Sequence, residues 1–107
     1  MEQIFNKLVR DNIPDIIKSN GEEAIYRILS DDEYKVELLN KLKEEVNEVI
    51  NSKDNKELLE ELADVFEVIK SLAESEDSSV DKIIEIASSK REKRGGFSKK
   101  LFLEKTK

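Results

Sequence analysis

The sequence predicts an all-α domain, and three observations predict it. The stretch Leu38–Leu72 repeats apolar residues with a helical period on both sides of one polar run, NSKDNK at 51–56. Ser30 followed by Glu33 is a capping box, which opens a helix by satisfying its first free N–H groups. A third apolar stripe, Ile83, Ile84, Ile86 and Ala87, runs into Lys90, Arg91, Lys93 and Arg94 and stops at Gly95-Gly96.

Taken in order, the chain begins with Lys7 and Arg10 flanking Leu8-Val9, then Asp11 and Ile13-Pro14. Pro14 suits the first turn of a short helix, Pro14 to Ser19, with Asn12 as its N-cap and Asn20-Gly21 as its end. Residues 23–29 alternate apolar and polar side chains as a short strand does. The helix capped by Ser30 carries Asp31 and Asp32 in its first turn and runs to about Ile50. The Asn, Ser and Asp of the polar run suit a break, and the next helix extends from about Lys56 to Ala73. ESEDSS, at 74–79, is a polar linker whose Ser79 or Ser78 caps a helix from Val80 to Arg94. Residues 97–104 form a second short strand, able to pair with 23–29 as a small two-stranded ribbon beside the helices.

Length and composition bound the function. The 107 residues suit one domain, 1–107. A net charge of −6 argues against a binder of nucleic-acid polymer, which works by neutralising phosphate. There is no cysteine, hence no disulfide framework and no zinc-thiolate site. There is also no histidine, which excludes Ser-His-Asp and Cys-His catalysis. No stretch approaches a membrane span and the N-terminus has no signal-peptide core, so the expected setting is soluble and cytoplasmic.

The acids carry the chemistry. Glu45 and Glu48 form an ExxE step on one central helix, and Glu61 and Asp64 form an ExxD step on the next. Residues three apart share a helix face, so antiparallel packing can bring all four carboxylates to one place. Such an oxygen-only donor set favours a hard divalent cation, Mg²⁺ before others. At about 100° per residue, Glu45 falls at the edge of the apolar arc of its helix, and Glu44 points away from it. Glu61 falls inside the arc of the second helix, between Val65 and Val68, with Asp64 just beyond its border. A carboxylate there is costly unless paired or metal-bound. Since 41% of the residues are charged, ExxE and ExxD also arise by chance, and half-buried salt bridges to Lys or Arg are the competing reading.

Three basic patches stand against this acidic cluster: Lys7/Arg10, Lys90/Arg91/Lys93/Arg94, and Lys99/Lys100. Cations that reach phosphate oxygens, together with a metal bridging them, are the division of labour that phosphoanhydride cleavage needs. The bland alternative is that these are solvated charges and ordinary helix-end chemistry.

EExxE at Glu44–Glu48 followed by ELADV at Glu61–Val65 resembles the all-α nucleoside triphosphate pyrophosphohydrolases, the MazG-like superfamily that includes dimeric dUTPases and phosphoribosyl-ATP pyrophosphohydrolase. KLVRDNIP at 7–14 and KREKRGGFSKKLFL at 90–103 look like the ends of its house-cleaning branch, so the resemblance covers nearly the whole chain. It implies a MazG-like helical bundle and Mg²⁺-dependent (Mn²⁺ also suits) hydrolysis of a nucleoside triphosphate to monophosphate and pyrophosphate. It implies Glu45, Glu48, Glu61 and Asp64 as catalytic metal ligands. Lys7, Arg10, Lys90, Arg91, Arg94 and Lys100 match the ends of the branch and are taken as substrate-binding. A homodimer or higher homo-oligomer is expected, because family members complete their bundles between subunits. Phosphoribosyl-ATP as substrate, or a non-catalytic helical interaction protein, are the alternatives.

Overall fold

The computed structural model describes residues 2–107 and contains four helices: α1 (Ile13–Ser19), α2 (Asp31–Ile50), α3 (Asn55–Ser75) and α4 (Val80–Arg94). The all-α expectation holds, and α2, α3 and α4 lie within two residues of their predicted limits. The reason is that each helix starts on a side chain made for the purpose. Ser30 accepts from the Glu33 N–H while Glu33 returns to the Ser30 N–H, closing the capping box. Asp54 accepts from the Glu57 N–H at 2.8 Å, and Ser79 from the Lys82 N–H at 3.2 Å.

Two local expectations need correction. Asn12 precedes α1 but makes no side-chain cap hydrogen bond; its backbone is already helical, with φ −89° and ψ −3°. A side chain caps best from an extended residue, as at Ser30, Asp54 and Ser79. The ribbon between 23–29 and 97–104 does not form, and no strand occurs among the described residues. Phe97 accepts the Lys100 N–H in a turn and Lys100 takes φ +61°, which breaks the second run before it can extend. Ile25 is 89% exposed and Phe102 is 90% exposed, so neither segment is held by apolar cover. An isolated two-stranded pair would be marginal in any case.

The short connection between α2 and α3 makes them an antiparallel hairpin, and these two helices carry most of the tertiary packing. α4 touches α3 far more sparsely. The hairpin core is Leu38, Val68 and Ala73, all buried, with Leu42, Val49, Leu58, Val65, Ile69 and Leu72 half-buried around them. The remaining apolar positions face outward: Val36, Leu39, Val46 and Ile50 on α2, and Leu59, Leu62 and Phe66 on α3. The wide apolar arcs of the sequence therefore divide between two directions, because one neighbouring helix can cover only one stripe.

The chain is drawn out, 61 × 35 × 25 Å, with a radius of gyration of 18.2 Å. A compact chain of this length would have about 13 Å. Its accessible surface is 10057 Å², against about 6,100 Å² for a compact monomer of the same mass. No described helix is long and apolar enough to cross a membrane.

Candidate metal centre

The hairpin register brings the acidic steps together. Glu45 lies five residues before the end of α2, and Glu61 six residues after the start of α3. At about 1.5 Å rise per residue they stand at nearly the same height above the connecting turn. Asp64 is three residues further from that turn on α3. One carboxylate oxygen from each of Glu45, Glu61 and Asp64 falls within 4.8 Å of the other two, and all three residues are half-buried. Glu48 stays outside this trio: it is exposed and sits nearer the turn.

Three of the four acids feel cations or acids in different ways. Asp64 accepts from the Arg10 guanidinium at 2.7 Å. Glu45 pairs with the Lys41 ammonium at 3.5 Å; these two side chains are only 14% and 16% exposed, the most enclosed ion pair among the described residues. Glu61 has no cationic partner within ion-pair distance among the described residues. Partial loss of water, followed by the charges of Asp64, Glu48, Glu45 and Glu57, pushes its carboxyl above the ordinary range. The salt-bridge reading thus accounts for Asp64 and Glu45 and leaves Glu61 without compensation.

Glu44 is outside the trio, but it is half-buried, not turned out to solvent as its position on the helix predicts, and it has a different connection. It binds Lys7 at 3.2 Å and Lys41 at 3.2 Å. Burial works to raise its carboxyl, but the hydrogen bonds from these two ammonium groups outweigh that and hold it below the ordinary range. Lys41 therefore links Glu44 and Glu45. Sequence reasoning passed over it, although its spacing of three and four residues from two glutamates was the available signal.

The basic residues separate into two groups. Lys7 and Arg10 reach the acidic face through the pairs just described. Lys90, Arg91, Arg94 and Lys100 make no ion pair with an acid among the described residues and lie on the exposed end of α4 and the segment after it. The Gly-Gly step has a local purpose there. Gly95 takes φ +80°, and a Cβ on Gly96 would sit 3.2 Å from the Arg91 guanidinium carbon, so the chain turns back under that side chain. A shallow depression of about 390 Å³ follows α4, lined by Glu85, Ile86, Ser89, Lys90, Lys93 and Arg94; none of the acidic trio borders it.

The family model of the MazG nucleotide pyrophosphohydrolase domain matches residues 35–97. The chain belongs to the MazG family. The matched span holds all four acids together with Lys90, Arg91 and Arg94, and it leaves Lys7, Arg10 and Lys100 outside. An uncharacterized protein of Mycolicibacterium smegmatis is 51% identical to this MazG chain over 43 residues, which are 40% of this chain and 44% of that protein. The match thus spans less than half the length of that relative. No solved structure matches the chain.

Proposed function

We propose that this MazG domain, acting as one unit over residues 1–107, hydrolyses a nucleoside triphosphate to the monophosphate and pyrophosphate, with a non-canonical nucleotide as preferred substrate. The observation that carries this reading is Glu61: a half-buried carboxylate among carboxylates, with no cationic partner among the described residues. Structural acids are normally placed beside a base, whereas a ligand-binding acid is held ready against repulsion.

The donor set fits a hard divalent ion, Mg²⁺ or Mn²⁺, with Glu45, Glu61 and Asp64 as ligands and Glu48 beside them. Bound there, such an ion would neutralise phosphate oxygens and polarise the reacting phosphorus. The chain's own residues supply the rest. Glu48, outside the trio, is free to accept the proton of the attacking water. As the water oxygen bonds to the α-phosphorus, the bond to the bridging oxygen breaks and pyrophosphate departs with that electron pair. Lys7 and Arg10 flank the acids on one side, where their donors would bind phosphate oxygens.

The remaining cations, Lys90, Arg91, Arg94 and Lys100, would contribute from a second copy in a homodimer or larger assembly. Two features support assembly. The protomer exposes about 4,000 Å² more than a compact monomer of its mass. Its outward stripe of Leu39, Val46, Leu59, Leu62 and Phe66 lies on the helices that carry the acids. The proposed setting is the cytoplasm, where nucleoside triphosphates are found.

The test is pyrophosphate release from canonical, deaminated and oxidised nucleoside triphosphates and from phosphoribosyl-ATP. Each is run with Mg²⁺, with EDTA, and with Glu61→Gln protein. Metal-dependent release that disappears in Glu61→Gln is the expected result. Activity confined to phosphoribosyl-ATP would move the substrate. Silence throughout, with no Mg²⁺ effect on melting, would leave a helical interaction protein.

A further inference from the structure

Granted the divalent-cation site proposed above, we infer that Arg10 is a built-in counter-ion of that site: the N-terminal arm neutralises Asp64 until a divalent cation displaces the guanidinium, which then becomes available to an anionic substrate.

The arm is placed for this by two contacts of long reach. Lys7 binds Glu44 on α2, 37 residues away, and Arg10 binds Asp64 on α3, 54 residues away. Between them Leu8 is half-buried, and after them Ile13 and Pro14 are half-buried, so the segment is seated across both helices of the acidic hairpin. The two tethers differ in what they grip. Glu44 lies outside the carboxylate trio, so an ion held by the trio does not compete for the oxygen that Lys7 grips. Asp64 belongs to the trio, so an ion that takes its oxygens competes directly with Arg10.

The energies permit exchange. The Arg10 side chain is 58% exposed and that of Asp64 is 41% exposed, and ion pairs this open contribute little to stability. A cation drawing on three carboxylates at once outcompetes a single guanidinium in contact with one. Glu44, through Lys7, then acts as a positioning residue that keeps the freed arm beside the site instead of letting it leave.

Competition of this kind lowers apparent cation affinity by the fraction of molecules in which Arg10 occupies Asp64. Calorimetric titration of the metal-free protein with Mg²⁺ should therefore show roughly two- to fivefold tighter binding by Arg10→Gln than by the wild type. A second readout follows the arm itself. Mg²⁺ should accelerate trypsin cleavage after Arg10 in the wild-type protein while leaving the helices protected. Equal Mg²⁺ affinity in the two proteins, or cleavage that Mg²⁺ leaves unchanged or slows, overturns the counter-ion role and leaves the metal site standing. Failure of both proteins to bind Mg²⁺ overturns the site, and the counter-ion role with it. Arg10 is exposed, so the variant should fold, and its helical circular-dichroism signal checks this.

Discussion

Glu45 and Glu61 face each other from antiparallel helices at matching heights above one turn, with Asp64 completing a trio of oxygens within 4.8 Å. Repulsion within this group is uncompensated at Glu61, and that has measurable consequences.

Glu61→Gln should make the metal-free protein more stable at neutral pH and weaken divalent-cation binding by at least about 10- to 100-fold. The sign follows from the raised pKa. A carboxyl whose pKa is higher folded than unfolded favours the native state when protonated, and disfavours it as pH rises through that value. Glutamine keeps the shape without the charge. Melting curves in EDTA at pH 7, compared with wild type, check the gain; a lower melting temperature would contradict it.

Mg²⁺ should stabilise the wild-type protein by mass action, by about 2.7 kcal/mol at one hundred times its dissociation constant. For a domain of this size that corresponds to a rise of roughly 10 °C or more in Tm. Na⁺ at matched ionic strength should not reproduce it, and EDTA should reverse it.

The α2 cap provides a pH test away from the site. The hydrogen bond from Arg27, then that from the Ser30 N–H, hold the Glu33 carboxyl down at about 2. A depressed pKa gives stability that is present above the ordinary value of 4.5 and is lost as pH falls toward 2. Glu33→Gln should therefore melt below wild type at pH 6, with the gap closing as pH falls through that window. Ser30→Ala removes the other half of the capping box and should cost about 1 kcal/mol.

Leu38 and Leu62 should respond to truncation in different ways. Leu38 is 3% exposed in the hairpin core, so Leu38→Ala should destabilise the fold by about 2–5 kcal/mol. Leu62 is exposed on the outward stripe, so Leu62→Asp should spare the helical signal and act on assembly. Sedimentation velocity should show the proposed dimer reduced to monomers.

Much of this was legible along the chain because it depends on neighbours in sequence. Ser30, Ser79 and the Gly95-Gly96 stop mark helix ends through contacts a few residues long, and the ExxE and ExxD steps share helix faces through the helical repeat alone. The 23–29 alternation misled, because a strand needs a partner and its pattern names none. Lys41 went unnoticed because nothing local separates a cation beside two half-buried acids from one in solvent.

The sequence by itself determined an all-α chain, the extents of its long helices, and four acids disposed in two pairs, since helical period and capping are short-range. Only the tertiary structure decided which three carboxylates converge, that Arg10 reaches Asp64 across a separation of 54 residues, and that the apolar arcs divide between an inner seam and an open face. Those outcomes depend on the register of one helix against another and on which surfaces the packing leaves uncovered, quantities that no single helix contains.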